Sequence, residues 1–324
     1  MIYFWSNREE LSCSLNLFYD SIGQTKQSFH QMLNRRLKMS EEVSYLIPII
    51  NQIRRDHPTM SCRAMYYKIN PFSIGRDRFE SICKDLGLNS YSPRGKKRTT
   101  DSTGVVRFEN LLEHTELTNI DQAYSSDITY YEIGNCFYYI TFILDCYSRR
   151  ILGHSVSGRL TAEQTTIPAL KMAIRTRKNT ILKDTIFHSD GGGQYYDKEF
   201  LKLTERYKFK NSMCEYAYEN GKAERVNGII KNCYLKYWPI TSLEELFKSV
   251  DRAVDLYNMD KPHKSLKYKT PLDFEKACLS LTQTTTPRVK ESFDAKIELM
   301  GVKPFNSRIS KTTTPPVQMY SMQK

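Results

Sequence analysis

The sequence lacks the features that are typical of membrane proteins, of exported proteins and of proteins held together by zinc ions or disulfides. No apolar run approaches the roughly 20 residues that a membrane-spanning helix needs, and residues 1–5 are too short and lack the basic leader of a secretory signal. We therefore expect neither membrane association nor export. The cysteines form no Cys-x-x-Cys pair and have no nearby pair of histidines, which argues against a zinc module and a disulfide framework. They are expected to be reduced cytosolic thiols, at positions 13, 62, 83, 136, 146, 214, 233 and 278.

Acidic residues are outnumbered at both ends of the chain. Lys and Arg stand at 16 against 9 acids in residues 1–100, at 25 against 24 in residues 101–284, and at 7 against 3 in residues 285–324. Neutralisation of phosphates by Lys and Arg is the main source of sequence-independent DNA affinity. Basic flanks around a near-neutral centre therefore suggest arms that touch a polyanion, although charge kept for solubility explains them equally well.

The amino-terminal region predicts a series of short helices. A helix-turn-helix is predicted by the order of residues 15–21, a turn that contains Gly23, and residues 25–34. Apolar residues at helical spacing follow over residues 43–53. Because an interior proline costs roughly 3 kcal/mol, we expect a kink or a helix start near Pro48.

Two further helices and a basic connector complete this region. Ser61 is predicted to cap one helix, and another is predicted over about residues 76–86, stopping before Gly87. The stretch that follows is rich in Ser, Arg, Lys, Gly and Thr, which indicates a linker. Four of its cations are suited to lie along a phosphate backbone, with a solvated connector as an equal alternative: Arg94, Lys96, Lys97 and Arg98.

The centre of the chain changes to β-branched and aromatic residues. Residues 124–130 and 137–144, joined by Gly134-Asn135, predict a hairpin, and residues 150–157 predict a third strand. A helix opened by a capping box of Thr161 and Gln164 is expected next. Helices and strands then alternate, an order expected of an RNase H-like α/β domain.

Three acids on separate predicted elements are placed so that they could converge. Asp127 lies in the middle of the first central strand, and Asp190 ends a buried strand and enters a triple-glycine turn. Glu224 lies in the first turn of a helix, with Asn227 and Lys231 on the same face. Such oxygen ligands suit Mg²⁺ or Mn²⁺, and two ions about 4 Å apart can activate a water or a sugar hydroxyl while stabilising the leaving oxygen.

Taken singly, none of these acids is distinctive. An Asp at a strand end is more often a turn or cap residue, and a Glu in a first helical turn often serves the helix dipole. Other acids of the same type compete with them: Asp121, Glu132, Asp145 and Asp197. Nearby, His188 is expected to bond a backbone group, and Tyr195 and Tyr196 are interpreted either as packing residues or as stacking platforms for an unpaired base.

The strings around the acids are more specific. They read SDITY at 126–130, LDCYSRR at 144–150, HSDGGGQY at 188–195 and ENGKAERVNG at 219–228. In order and spacing they resemble the signature of DDE insertion-sequence transposases of the IS-three group, relatives of retroviral integrases. The resemblance covers about residues 40–276, with IRRDHP at 53–58, LGL at 86–88, the segment 257–266 and TPLDF at 270–274 as flanking motifs.

The resemblance implies a site and a reaction. It makes Asp127, Asp190 and Glu224 the catalytic triad and the ligands of two Mg²⁺ or Mn²⁺ ions, with Lys231 as the basic residue seven positions past the glutamate. It implies metal-dependent 3'-end cleavage and strand transfer on double-stranded DNA, at the element's terminal inverted repeats and a target. It further implies a circular excised intermediate, a homo-oligomer of at least two chains, and a bacterial, cytoplasmic, nucleoid-associated setting.

The expected DNA contacts and domains follow from these observations. The DNA-binding residues are expected to be Lys26, Arg54, Arg55, Arg94, Lys96, Lys97, Arg98, Arg225, Asn227 and Lys231. The expected fold is an RNase H-like (integrase-type) α/β core with an all-α helix-turn-helix amino-terminal region. The expected segments are a short helix-turn-helix at 1–36, a helical DNA-binding domain at 37–89, a basic linker at 90–118, the catalytic core with its closing helix at 119–276 and a flexible basic tail at 277–324.

The sequence also departs from the family pattern. Thirty-three residues separate Asp190 from Glu224 where the family usually has 35, and Tyr124 stands where tryptophan is common. We expect the upstream helix-turn-helix and zipper segment, which the family often gains by frameshifting, to be absent from this chain or reduced to residues 1–36. Two other functions stay open at this point: an RNase H-like nuclease or resolvase that only hydrolyses DNA, and a non-catalytic DNA-binding regulator descended from a transposase.

Overall fold

The structure, a computed structural model, describes residues 7, 9–10, 14–21, 23–90, 108–113, 115–214 and 220–283. The four predicted linker cations, Arg94, Lys96, Lys97 and Arg98, and the tail from residue 284 lie outside the described residues. The chain divides into two compact units, Met1–Ser280 and Leu281–Lys324. Of the second unit only residues 281–283, the end of the last helix, are described. Within the described residues, no helix is both long and apolar enough to cross a membrane.

The described residues of the amino-terminal region form the helices α1 Leu15–Ser21, α2 Lys26–Asp56, α3 Cys62–Ile69 and α4 Arg76–Asp85. The cap predicted at Ser61 is confirmed, because the Ser61 side chain accepts a hydrogen bond from the Ala64 amide at 3.2 Å. The helix start considered near Pro48 is wrong, since α2 runs unbroken through that residue and through the expected segment boundary at residues 36–37, while a kink there stays a prediction. The buried face of α2 packs on α3 and α4 through Ile50, Met65 and Phe79, and this burial outweighs the local cost of the proline.

The second region is built on a five-stranded sheet. Its strands are β1 Ala123–Ile133, β2 Cys136–Asp145, β3 Ile151–Ser157, β4 Ile186–Ser189 and β5 Lys210–Met213, in the order β3-β2-β1-β4-β5. The predicted hairpin is confirmed, with Gly134 at φ 59° in its two-residue turn. Strands β1 to β3 are antiparallel, whereas β4 pairs with β1 in parallel and β5 pairs with β4 in parallel. This topology confirms the predicted RNase H-like α/β class.

Helices cover both faces of the sheet. Helices α5 Thr166–Thr176 and α6 Lys198–Arg206 pack on one face, and α7 Gly221–Cys233 and α8 Leu243–Asp255 pack on the other. Alternation along β2 sends Ile143 to the first face and Phe142 and Leu144 to the second. A last helix, α9 Pro271–Gln283, ends the described chain.

The capping box predicted at Thr161 is wrong. Residues 161–164 form a turn, and α5 begins at Thr166 after Thr165, which makes no side-chain cap. The Gln164 side chain instead accepts a hydrogen bond from Ser157 at 2.9 Å. A tertiary partner on β3 therefore replaced the local partner that the spacing had predicted.

The amino-terminal helices are joined to the second region by polar contacts and one ring stack. The His57 ring bonds the Tyr234 hydroxyl at 2.9 Å and the Asp260 carboxylate at 2.6 Å. Hydrogen bonds from His57, followed by the charge and hydrogen bond of Lys68, lower the pKa of Asp260 to about 2. The Tyr67 and Tyr268 rings stack with centroids 3.9 Å apart. These contacts hold the two regions against each other.

Candidate active site

Parallel pairing of two strands brings the two aspartates to one edge of the sheet. Strand β1 pairs with β4 so that Ser125 lies opposite His188. Asp127 and Asp190 each follow two residues later, and neighbouring strands lie about 4.8 Å apart. Asp190 enters the glycine turn, where its Oδ1 accepts a hydrogen bond from the Gly192 amide at 3.2 Å. A Cβ at Gly192 would stand 3.1 Å from that oxygen, so the glycine leaves the carboxylate its space.

Helix α7 carries Glu224 to the same edge. Its start is anchored by Asn220, which donates a hydrogen bond to the Ser126 carbonyl at 2.9 Å and accepts one from the Ser125 hydroxyl. One turn after Glu224, Asn227 is buried and donates to Asp127 Oδ2 at 2.7 Å. Glu224 itself is solvent-exposed in the first helical turn.

The other two acids act on the Asp127 carboxylate. Burial, then the charge of Asp190 and that of Glu224, together raise the pKa of Asp127 to about 7, against hydrogen bonds from Ile128 and Asn227 that lower it. Burial also raises the pKa of Asp190, against the hydrogen bond from Gly192. A buried carboxylate that two other carboxylates repel is costly to ionise unless a cation is bound nearby.

The oxygen atoms of the three carboxylates are suitable ligands for a divalent cation, and this edge of the sheet supplies a further oxygen atom. The Asn227 Oδ1 atom is buried and has no hydrogen-bond partner among the described residues. That oxygen, beside Asp127, adds to a set of the hard ligands that Mg²⁺ and Mn²⁺ prefer. Within the ranges that the structure describes, no group of three His, Cys, Asp or Glu side chains stands close enough to hold a metal ion. The three carboxylates therefore have to come closer together before they can share a metal ion.

The raised pKa of Asp127 predicts how stability depends on pH. The ordinary pKa of this carboxyl is 3.8, so between about pH 4 and pH 7 the folded chain keeps a proton that the unfolded chain releases. Stability therefore falls as pH rises through that window. We expect Asp127→Asn to raise the melting temperature at pH 8 in metal-free buffer, on the order of 5 °C, and to flatten this pH dependence.

A matched control is Asp184→Asn. Asp184 is exposed, and its pKa is lowered by a hydrogen bond from Lys210 and by that residue's charge. Its substitution should leave the melting temperature at pH 8 unchanged or slightly lower. An Asp127→Asn melting curve that keeps the pH dependence of the parent would rule out Asp127 as its source.

The predicted DNA-contact residues divide into three groups. Lys231 donates to Thr129 at 3.1 Å and lies 4.7 Å from the centre of the Tyr130 ring, on the Asp127 side of α7. Lys26, Arg55 and Arg225 are exposed. Arg54 is partly buried and donates to the backbone carbonyls of residues 58, 60 and 88, so the structure gives it a role in holding the turn after α2.

The other residues considered from the sequence have structural partners. Asp145 is fully buried and accepts backbone hydrogen bonds from Asp121, Tyr147 and Ser148. Tyr195 is buried and its hydroxyl bonds Ser126 at 2.9 Å, which confirms packing rather than base stacking.

Two further side chains near the sheet edge have ring or side-chain partners. Tyr196 stacks on Phe108, with ring centroids 5.8 Å apart. His188 Nδ1 bonds the Ser212 hydroxyl at 3.0 Å.

Sequence reasoning missed one residue that shapes this edge. Asn220 ties the start of α7 to β1, and its position immediately before a predicted helix was the available signal. Its partners, Ser125 and Ser126, lie 95 and 94 positions earlier, so no local pattern pointed to them.

Comparison with known proteins places the acids in a recognised domain. Residues 119–218 match one integrase core domain family, and residues 206–271 match another of the same description. Asp127 and Asp190 lie in the first match, and Glu224 lies in the second.

Relatives of this chain include products of bacterial insertion elements. Over 258 residues it is 27% identical to the "Insertion element IS600 uncharacterized 31 kDa protein" of Shigella sonnei, covering 78% of this chain and 91% of that protein. Over 156 residues it is 35% identical to the transposase InsF for insertion sequence IS3A of Escherichia coli K12, covering 48% of this chain and 52% of that protein.

Solved structures similar to this chain include retroviral integrases. The catalytic core domain of HTLV-2 integrase, solved in complex with magnesium, matches with a TM-score of 0.40 at 24% identity, over 48% of this chain and 97% of that one. An intasome of simian T-cell lymphotropic virus, in complex with the PP2A regulatory subunit B56 gamma, matches with a TM-score of 0.43 at 16% identity. That match covers 68% of this chain and 71% of the other.

Proposed function

This chain belongs to the DDE insertion-sequence transposases, which carry an integrase core domain, and from that premise we propose which DNA it acts on and how. It binds the terminal inverted repeats of its element, frees 3' hydroxyls by hydrolysis, and joins them to another phosphodiester. The alternatives of a nuclease that only hydrolyses and of a non-catalytic regulator differ from this proposal in their products.

The observation that carries the proposal is the repulsion that the Asp190 and Glu224 carboxylates exert on Asp127 at one sheet edge. Asp127 and Asp190 are largely buried, and the charges of both Asp190 and Glu224 raise the pKa of Asp127. Burying like charges without a partner costs free energy that folding alone does not recover. Sites of this kind are typical of catalytic centres, where such strain is relieved by a ligand.

We assign Asp127, Asp190 and Glu224 as the residues that would hold the divalent ions, Mg²⁺ or Mn²⁺. When bound, a pair of such ions activates a water or a sugar hydroxyl and stabilises the leaving oxygen. Asn227 orients Asp127 through its 2.7 Å hydrogen bond. Lys231, seven residues along the same helix face as Glu224, is placed to contact the DNA backbone beside the reacting phosphate.

The reaction requires two DNA ends and therefore more than one chain. We propose that the chain acts on double-stranded DNA as at least a dimer, in the cytoplasm of a bacterium and in contact with its nucleoid. Sequence-independent affinity for that DNA comes from the exposed cations Lys26 and Arg55, from the basic linker at 90–118 and from the basic tail at 277–324.

A joining assay tests the proposed reaction. Labelled duplexes carrying the element's ends, taken from the DNA that flanks the gene, are incubated with supercoiled plasmid and Mg²⁺. We expect label covalently joined to plasmid, and none when EDTA replaces Mg²⁺. Cut ends without joined product would support a nuclease instead, and DNA binding without any metal-dependent cutting would support a regulator.

A further inference from the structure

A large cleft lies between the amino-terminal helices and the integrase core. Its volume is about 1330 Å³, and both regions contribute to its walls. Pockets for small ligands usually enclose roughly 300–1,000 Å³, so this cleft suits a segment of a polymer. The cations on its walls are Arg63 and Lys84 from the amino-terminal helices and Arg149, Lys222, Arg225, Lys261 and Lys264 from the core.

The cleft is separate from the edge that carries the acids. Helix α7 contributes to both, but successive residues of a helix turn by about 100°. Glu224, Asn227 and Lys231 share one face, whereas Arg225 lines the cleft about a third of a turn away from them. A molecule bound in the cleft would therefore lie along the flank of α7 and not on the carboxylates.

The positive charge in the cleft is largely uncompensated. Among the described residues that line the cleft, the one carboxylate is that of Glu80, and it pairs with Arg63, with Nε and Oε1 2.6 Å apart. Among the ion pairs of the described residues, none includes Arg149, Arg225 or Lys264.

The cations also act on one another. Burial lowers the pKa of Lys261, and the charge of Arg225 adds to that effect. Burial, then the charges of Lys261, Arg149 and Arg225, together lower the pKa of His263 to about 3, against a hydrogen bond with the Tyr257 backbone that raises it. Several cations therefore converge at one point of the cleft, and the fold keeps them together at an electrostatic cost. Such a cost is expected where an anion is bound.

We propose that this cleft binds the sugar-phosphate backbone of double-stranded DNA at a distance from the phosphate that reacts. The proposal rests on the DNA-joining function proposed above, because that function supplies DNA as the polyanion. Polar side chains beside the cations, including Ser81, Asn89 and Ser265, are of the types that donate hydrogen bonds to phosphate oxygens. DNA held here would touch the amino-terminal helices and the core together, so that one duplex fixes both regions.

Salt dependence of DNA binding tests the cleft. Arg225 and Lys264 are exposed, so the double variant Arg225→Gln with Lys264→Gln is expected to fold normally. Binding of the full chain to a fluorescent random-sequence duplex is measured between about 50 and 200 mM salt without metal. Loss of two phosphate contacts should lower the slope of log affinity against log salt by about 2 and weaken binding at the highest salt at least about tenfold.

The matched control removes two cations elsewhere. Lys171 on α5 and Lys198 on α6 are exposed and lie on helices packed against the opposite face of the sheet. The double variant Lys171→Gln with Lys198→Gln should keep the parent's affinity and slope. An equal loss in both double variants, or no loss in the cleft variant, overturns the proposal. A change in oligomeric state without DNA, with DNA affinity unchanged, would make the cleft an interface between chains and also overturns it.

A second variant tests the repulsion between cations inside the cleft. Lys261→Met removes a cation that Arg225 repels, so we expect a higher melting temperature together with weaker DNA binding. A lower melting temperature would contradict the repulsion on which the proposal stands. Joining activity of the parent chain separates the two proposals. If the parent chain joins DNA but the cleft variants bind DNA as the parent does, the cleft proposal alone is rejected. If the cleft variants bind DNA more weakly but the parent chain joins none, the joining reaction is rejected and the cleft remains a DNA-binding site.

Discussion

Replacing Asp190 by alanine should abolish strand joining in Mg²⁺, with a loss of at least about 10³-fold, while DNA affinity stays unchanged. Asp190 lies at the end of β4, and its carboxylate is held by the Gly192 amide beside Asp127. Removing it takes away one of the two buried oxygen donors proposed to hold the ions. The measurement is the joining assay with saturating DNA ends, alongside a binding titration of the same duplex without metal.

The matched control for that variant is Asp184→Ala. Asp184 is an exposed aspartate two residues before β4, and its partner is Lys210 at 2.9 Å. It should join DNA at the parent rate. Normal joining by Asp190→Ala would remove Asp190 from the proposed site, whereas equal loss in both variants would point to damage of β4 in place of a chemical role.

Arg177→Met should lower the free energy of unfolding by about 3–5 kcal/mol. Arg177 is 11% exposed and bonds Asp121 at 2.6 Å and both oxygens of Glu275 at 2.8 and 2.9 Å. Glu275 has only 3% of its side chain exposed, and Asp145, 3.7 Å from Arg177, has none. Burial would raise the pKa of Glu275, but the hydrogen bonds and charge of Arg177 lower it below its ordinary value. Without Arg177 these carboxylates stay buried with too little positive charge.

Urea unfolding followed by circular dichroism measures this effect, and Lys202→Met provides the control. The Lys202 pair with Glu199 is 69% and 68% exposed, and exposed pairs contribute about 0–1 kcal/mol. A difference between the two variants of less than about 1 kcal/mol would contradict the structural role given to Arg177.

The Arg177 cluster also explains the closing segment of the chain. Glu275 on α9 bonds Ser148 at 2.7 Å and Arg150 at 2.7 Å after the turn that ends β2. The carboxylate of Asp145 organises that turn through backbone amides. The motifs at 144–150 and 270–274 therefore belong to one structural unit, and they hold the sheet end without taking part in the proposed chemistry.

Local patterns predicted most elements of this chain, and they failed where distant residues decided the outcome. Short-range signals such as the Ser61 cap, the Gly134 turn and the alternation along β2 are complete within a few residues, so they could be read directly. The helix through Pro48 and the lost capping box at Thr161 depend on partners in other elements. A local sequence pattern carries no information about partners that lie in other elements.

By itself the sequence determined the α/β class of the core, the three acids assigned to the proposed site and the basic balance of the flanks. These depend on residue identity, period and order along the chain. Tertiary structure alone decided that β1 and β4 pair in parallel, which puts Asp127 beside Asp190. It also decided that Asn227 turns toward Asp127 and that Arg149, Arg225 and Lys261 face one cleft. The physical reason is that pKa values, buried ion pairs and charged clefts arise from distances between residues far apart in the chain, and those distances exist only once the layers have packed.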